Sequence, residues 1–350
     1  MPLSVHWTVL ELHTTHAFHI ARAVAPPVRR NVWVRVVDEE GREGWGEAAP
    51  SPYYGETAET VAAVLPRYAE VLERTEDPAA LEDLDTALAR AVGGNGAARA
   101  AVSAALHDLV AGRLGVPVWK LWGLTPAAPM SSFTIGLDEP AVMRERVAAA
   151  AAYGILKIKV GTERDEEVLR AVRAAAPAAR IRVDANTAWT LKQALRRLPL
   201  LEEVGVELIE QPLPAADIDD LGRLRARSTI PIFADESCRT AADVPRLAGR
   251  VDGVNIKLAK CGSLREAVRM VHVARALGLR VMLGCMIEST LAVAAALQLA
   301  PLCDYLDLDG AALLADDPFD GPGIGRDGAL RFNQAAGLGV TLRTGGRAAG

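Results

Sequence analysis

From Ser132 onward the chain alternates between short β-branched or aliphatic runs and longer stretches in which apolar residues recur at helical spacing. Runs such as Ile155-Leu-Lys-Ile-Lys159, Ile181-Arg-Val-Asp184 and Glu207-Leu-Ile-Glu210 predict strands, and the amphipathic stretches between them predict crossover helices. Strand and helix in regular alternation imply βα units and a parallel sheet. The strand tips recur at near-constant spacing: Thr134, Lys157 to Lys159, Asp184, Glu210, Asp235, Lys257, Gly284 and Asp307. Eight tips one βα unit apart match a (β/α)₈-type barrel, whose active sites lie at the C-terminal ends of the strands. The rival fold is a doubly wound open sheet, but no Gly-x-Gly-x-x-Gly follows any of these strands.

The first third has a different texture. Val32-Trp-Val-Arg-Val-Val37 predicts a strand, Asp38-Glu-Glu-Gly41 a turn and Gly44-Trp-Gly-Glu47 a returning strand. Two proline-containing stretches, Ala21 to Arg30 and Pro50 to Gly55, predict loops that cover a site. From Thr57 to about Gly115 the apolar spacing predicts several helices, broken at Gly93-Gly-Asn-Gly96. The expectation is an α+β capping domain over residues 1–125 and a barrel over residues 126–320, with the glycine-rich segment 321–350 returning to the cap. Thr341 to Gly350 is expected to fray.

Composition narrows the function classes. The 350 residues are half hydrophobic, enough for a large core, and the net charge of -5 comes from interspersed charges with no basic stripe, which argues against nucleic acid. No stretch reads as 18 or more lipid-facing residues, so no membrane span is expected. The opening Met1-Pro-Leu-Ser-Val-His-Trp7 lacks a basic region followed by an apolar one, so the expectation is a cytoplasmic protein without a signal peptide. Cys238, Cys261, Cys285 and Cys303 show no Cys-x-x-Cys spacing and fit reduced thiols better than zinc or disulfides.

The tips carry the candidate chemistry. On a strand, Lys157 and Lys159 share a face. Two ammonium groups side by side repel, which suits a lysine that must act as a base near neutral pH; the other reading is an edge strand with both lysines in solvent. Asp184, Glu210 and Asp235 end three consecutive strands, so their carboxylates converge. A hard divalent cation, Mg²⁺ or alternatively Mn²⁺, compensates such a cluster; pairing with lysine or arginine across the barrel is the competing account. Lys257 lies four strands on from Lys159 and approaches from the other side of the mouth. Two amines flanking a metal that binds a carboxylate are arranged to move a proton on and off the adjacent carbon, one removing it and the other returning it. Lys260 is expected beyond the tip and outside the site. Asp307 and Asp309 again share a face, and two carboxylates aimed into a pocket suit a cationic group on the substrate, unless they form a solvated acidic loop with Asp304.

Lys157-Ile-Lys159, Asp184-Ala-Asn-Thr-Ala-Trp189, Glu210-Gln-Pro212, Ala234-Asp-Glu-Ser237 and Asn255-Ile-Lys-Leu258 together resemble the enolase superfamily in its muconate lactonizing enzyme subgroup. Ala104-Ala-Leu-His-Asp108, Gly115-Val-Pro117 and Leu121-Trp-Gly123 resemble the lead into that family's barrel, and Gly337-Leu-Gly339 its closing segment. The resemblance implies a (β/α)₇β modified TIM barrel with an α+β cap, Mg²⁺ on Asp184, Glu210 and Asp235, Lys159 and Lys257 as the acid/base pair, and Lys157 on the substrate carboxylate. Subgroup members include dipeptide epimerases, N-acylamino acid racemases, o-succinylbenzoate synthases and cycloisomerases, so fold alone leaves the substrate open. Asp307-Leu-Asp309 resembles the dipeptide epimerases, where this motif binds the free α-ammonium, and it implies an isomerase acting on a small dipeptide with L-Ala-D/L-Glu as lead substrate. Arg22 sits where some epimerases carry an arginine for a glutamate side chain; Arg29 and Arg30 offer the same chemistry. Thr134 is a candidate hydroxyl donor or a backbone cap, and Tyr53 and Tyr54 either close over the substrate or pack the cap. A homo-oligomer is expected. The rival outside catalysis is a silent barrel used for ligand binding.

Overall fold

The computed structural model describes residues 2–24 and 27–343. At the N-terminus β1 (Ser4–His13) pairs antiparallel with β2 (Val28–Val37), which pairs with β3 (Glu43–Ala48), giving a sheet with β2 in the centre. Alternation along β2 buries Val32, Val34 and Val36 against three helices, α1 (Ala58–Leu72), α2 (Leu81–Ala91) and α3 (Gly96–Arg113). Thr57 and Thr60 form a reciprocal capping box that starts α1. The alanine-rich α3 lies so close to β3 that a Cβ on Gly44 or Gly46 would fall 2.0 Å from a carbonyl oxygen of Ala105 or Ala101. Glycine in the strand and alanine on the helix permit that approach together.

Two features differ from expectation. Val28 to Arg30 belong to β2 rather than to a loop, because the hydrophobic stripe of β1 continues to Leu12 and pairs with them. Before them His19–Ile20 and Ala23–Val24 form a two-residue hairpin, and Ala25 and Pro26 of the expected loop lie outside the described residues. At the other end Thr341–Leu342 pairs with Phe319–Asp320 instead of fraying; residues 344–350 lie outside the described residues.

Eight parallel strands follow: β4 (Phe133–Ile135), β5 (Ile155–Lys159), β6 (Arg180–Asp184), β7 (Val206–Glu210), β8 (Ile232–Ala234), β9 (Gly253–Ile256), β10 (Arg280–Gly284) and β11 (Tyr305–Asp307). Each neighbours the next in sequence, and Ser131 bridges Leu306 while Ser132 N donates to Leu306 O at 3.1 Å, so β11 returns to β4. Closure excludes the doubly wound alternative. Helical segments connect every successive pair, among them α4 (Pro140–Ala149), α5 (Asp165–Ala175), α6 (Leu191–Glu203), α7 (Ile218–Arg225), α8 (Leu264–Ala276) and α9 (Thr290–Leu297), with the single turn Val244–Leu247 between β8 and β9. With eight strands and, among the described residues, no α-helix after the last, this is a (β/α)₇β barrel. Side-chain caps begin several of these helices: Thr190 accepts from Gln193 N before α6, and Ser263 from Glu266 N at 2.9 Å before α8.

The cap is fastened to the top of the barrel beside the seventh strand. Glu47 of β3 accepts from Asn31 Nδ2 at 2.7 Å and from Ser289 N at 3.1 Å, and Ser289 is also the N-cap of α9. The C-terminal segment joins the same junction, since Gly337 N donates to Val116 O at 2.9 Å and Leu338 N to Asp108 Oδ1 at 2.6 Å. Cys238, Cys261, Cys285 and Cys303 are free thiols. Among the described residues no helix is long and apolar enough to cross a membrane.

Candidate active site

The strand period sets the site. Lys157 and Lys159 are both buried, 2% and 7% exposed, which removes the solvated-edge alternative. Register places Lys159 beside Asp184 and Asp184 beside Glu210 on adjacent strands. Asp184, Glu210 and Asp235 each offer a carboxylate oxygen within 4.8 Å of the others, all buried. Lys159 Nζ lies 2.6 Å from Asp184 Oδ2 on one flank, and Lys257 Nζ 2.8 Å from Asp235 Oδ2 on the other. Lys157 Nζ reaches Asp307 Oδ2 at 2.7 Å, Glu210 Oε2 at 2.8 Å and Asp184 Oδ2 at 3.0 Å.

Electrostatics follow from packing so many charges out of water. Burial would raise Asp184, but Lys159 and Lys157 outweigh it and hold the carboxyl below its usual range. Asp235 is likewise held well down by Lys257 and Lys260 against its burial. Glu210 goes the other way, to about 7, because burial and the charge of Asp184 exceed the help it receives from Lys157. Burial favours neutral amines, yet Asp307, Glu210 and Asp184 keep Lys157 firmly protonated, and Asp235 and Glu210 do the same for Lys257. At Lys157 the expected lysine repulsion is therefore overruled: three carboxylates within reach matter more than one neighbouring ammonium.

Three oxygen donors converging at this separation, one of them still pressed toward neutrality, fit a hard divalent cation. Asp184, Glu210 and Asp235 are the residues that would hold it.

Above the carboxylates lies a cavity of about 320 Å³ bounded by the barrel mouth and the cap. Asp307 and Asp309 both line it, but they have different tasks. Asp307 is engaged by Lys157 and by Ser132 Oγ at 2.7 Å, so it is not free for a substrate cation. Asp309 is 3% exposed, accepts from Thr134 N at 2.6 Å and has Cys285 Sγ 3.9 Å from its other oxygen. Burial and the charge of Asp307 push it to about 6. Thr134 thus meets Asp309 through its backbone N–H, with its hydroxyl also helping to hold the carboxyl charged, and the solvated-loop alternative for the two aspartates is excluded by their burial. Tyr53 borders the cavity with 43% exposure, and Arg22 stacks over its ring at 4.1 Å. Arg22 is already neutralised: Nη1 donates to Glu236 Oε1 at 2.6 Å and Asn186 O at 2.7 Å. Tyr54 also lines the cavity.

Several contributors escaped the sequence. Lys260, expected outside, is buried and donates to Asp235 Oδ1 at 2.5 Å, Asn255 O at 2.8 Å and Cys238 O at 3.0 Å, because a turn of helix directly after β9 folds it back under the tip. Gln211 orders the same aspartate, its Oε1 accepting from Asp235 N at 2.8 Å, and Asn255 Nδ2 donates to Glu210 Oε1 at 2.8 Å. Glu236 is buried beside Asp235 as the counter-ion of Arg22. Each lies within three residues of a tip residue in sequence, which was the available signal. Asn186, Thr187 and Gln211 take positive φ values of 44°, 70° and 33° without being glycine, so the turns that aim the carboxylates are strained.

Comparison with known proteins agrees with this geometry. Residues 5–123 match the mandelate racemase / muconate lactonizing enzyme N-terminal domain, and residues 141–345 match the enolase C-terminal domain-like family. The chain belongs to the enolase superfamily. It is 41% identical over 336 residues to the L-Ala-D/L-Glu epimerase of Bacteroides thetaiotaomicron, spanning 94% of this chain and 85% of the relative. It is 44% identical over 292 residues to the hydrophobic dipeptide epimerase of Roseobacter litoralis, spanning 81% and 83%. The crystal structure of a dipeptide epimerase from Enterococcus faecalis, complexed with Mg and L-Leu-L-Tyr, superposes with a TM-score of 0.92 at 31% identity, covering 97% of this chain and all of that one.

Proposed function

We propose that this superfamily member is a Mg²⁺-dependent dipeptide epimerase that inverts the Cα of the carboxyl-terminal residue by two-base 1,1-proton transfer. The observation that carries the proposal is Asp309, a buried carboxylate on the cavity wall that no lysine or arginine among the described residues pairs with, whereas Asp307 is claimed by Lys157. A free α-ammonium is the group that such a carboxylate receives; acylated or cyclised substrates of related enzymes offer none.

In this mechanism Asp184, Glu210 and Asp235 would hold Mg²⁺, which would supply electrostatic stabilisation of charge developing on the substrate carboxylate. Lys157 presents a permanent ammonium to the same carboxylate, anchored by Asp307 behind it. Lys159 and Lys257 stand on opposite flanks of the carboxylate cluster. One amine takes the Cα proton from its side; the other delivers a proton to the opposite side, and inversion results. Lys260 fixes Asp235 in place, and Thr134 N fixes Asp309. Arg22 ties the hairpin before β2 to the barrel through Glu236 and Asn186, with Tyr53 stacked against it, which holds this part of the cap beside the cavity. The proposal further places the enzyme in the cytoplasm as a homo-oligomer acting on a free dipeptide, without nucleic acid or membrane; four free thiols are in keeping with a reducing compartment.

Incubation with Mg²⁺ and a dipeptide panel led by L-Ala-L-Glu in D₂O tests it. Deuterium is expected at Cα of the second residue. Exchange only with N-acylated amino acids, or with no member of the panel, overturns it.

A further inference from the structure

β2 carries Arg29 and Arg30 in succession, and strand alternation sends them to opposite faces. Arg30 turns outward and pairs with Glu59. Arg29 shares its face with Asn31, whose Nδ2 donates to Ile287 O at 3.3 Å in the loop after β10. Its partner across the sheet is Leu12; two residues beyond Leu12, Thr14 bridges Leu314, and Thr15 N donates to Leu313 O at 2.9 Å in the segment after β11. Arg29 therefore enters the cavity between the loops that follow β10 and β11, with Met286, Ile287 and Leu313 also on the wall.

Among the described residues Arg29 has no hydrogen-bond or ion-pair partner, and its Nε is buried without one. Burial lowers its pKa, and no carboxylate among the described residues offsets that. A guanidinium stays charged and offers five donors in a planar fork, so leaving it half-desolvated and unpaired is costly, while a carboxylate satisfies two donors at once. Arg22, the other arginine on this cavity, is already satisfied, and it sits on a different side, over the turns after β6 and β8 that hold Asn186 and Glu236.

We propose that Arg29 is the subsite for an acidic side chain on the amino-terminal residue of the dipeptide. The inference rests on the epimerase reading of the same cavity: Asp309, which follows β11, holds the ammonium of the first residue, and Arg29 overhangs that β10–β11 side. Its relatives act on L-Ala-D/L-Glu and on hydrophobic dipeptides, so kinship does not decide the side chain, whereas an uncompensated charge on the wall does.

The test compares kcat/KM for L-Glu-L-Ala and L-Ala-L-Ala in the wild type, Arg29→Ala and Arg29→Glu, read by deuterium incorporation with Mg²⁺ present. The wild type is expected to prefer L-Glu-L-Ala, and Arg29→Ala to reduce that preference by about 10- to 100-fold, mostly through KM. Arg29→Glu is expected to create a preference for L-Lys-L-Ala, a gain that misfolding cannot mimic. An unchanged ratio in both variants overturns the proposal, as does loss of discrimination only for acid in the second position, with L-Ala-L-Glu. If the wild type exchanges no dipeptide at all, the epimerase reading fails by itself. Calorimetric titration with L-Glu-L-Ala and L-Ala-L-Ala then decides Arg29: tighter binding of the acidic peptide, lost in Arg29→Ala, supports the subsite, and equal affinities refute it.

Discussion

Replacing Asp309 with asparagine removes one charge and almost no volume. The Thr134 N–H, 2.6 Å from Oδ2, keeps an oxygen to donate to, so the β11 loop has little reason to move. On the proposed mechanism, what is lost is the counter-charge for the substrate ammonium. Asp307 cannot take over, because Lys157 at 2.7 Å already claims it. Truncating one member of a buried, hydrogen-bonded charge pair costs about 2 to 5 kcal/mol, or roughly 30- to 5,000-fold in kcat/KM. Asp309 is 3% exposed, so water can replace little of the lost interaction and the upper half of that range is expected. The assay is initial-rate Cα deuteration of L-Ala-L-Glu and of its N-acetyl derivative. The wild type should strongly favour the free amine, and Asp309→Asn should lose most of that discrimination. The acid limb supplies a second reading. Because the Asp309 carboxyl is pushed up to about 6, by burial first and by Asp307 next, it is ionised above that pH and neutral below it. In the wild type kcat/KM should therefore fall as pH drops through about 6, and the asparagine variant should lack that limb. Equal rates for free and acetylated substrate in the wild type, or a variant within threefold of wild type on both, would refute the reasoning.

Lys159→Ala and Lys257→Ala should each abolish epimerisation, yet each should still exchange Cα deuterium from one epimer and not the other, with opposite selectivity; NMR of both epimers in D₂O checks this. Arg22→Ala leaves Glu236, with its side chain 1% exposed, without its cation, and should raise KM roughly tenfold for acidic and neutral dipeptides alike, in contrast to Arg29 variants. Mg²⁺ at 100 times its Kd should stabilise the fold by about 2.7 kcal/mol, visible as a rise in Tm that EDTA reverses and Glu210→Gln removes. Gly44→Ala would drive a Cβ to 2.0 Å from Ala105 O and should cost about 3 kcal/mol, lowering Tm by roughly 5 °C in a thermal melt.

The barrel was legible because its strands are apolar runs ending in charge, and a period of two forces Lys157 with Lys159, and Asp307 with Asp309, onto common faces. The same logic located the three carboxylates, since consecutive tips of a closed barrel must converge. What strand alternation cannot supply is the distribution of partners inside the ring. Asp307 and Asp309 look equivalent in sequence, but Lys157 and Ser132 engage only the first. Lys260 looked remote because helical folding directly after a strand reverses the chain within one turn, and nothing in Asn255-Ile-Lys-Leu258 announces that. The prolines near Arg29 suggested a loop, yet pairing with β1 extends the strand through Val28 and turns Arg29 inward. Positive φ at Asn186, Thr187 and Gln211 was also hidden, because these non-glycine residues are held there by the barrel mouth rather than by local preference.

The central claim is that opposed lysines exchange a proton at one carbon of a dipeptide gripped through both of its charged ends. Proton NMR of L-Ala-L-Glu and L-Glu-L-Ala with enzyme and Mg²⁺ in D₂O tests it directly. The account predicts disappearance of the Cα proton of the second residue together with growth of the second diastereomer, while the first residue stays untouched. Persistence of that proton in every dipeptide tried, or exchange confined to the first residue, would contradict it.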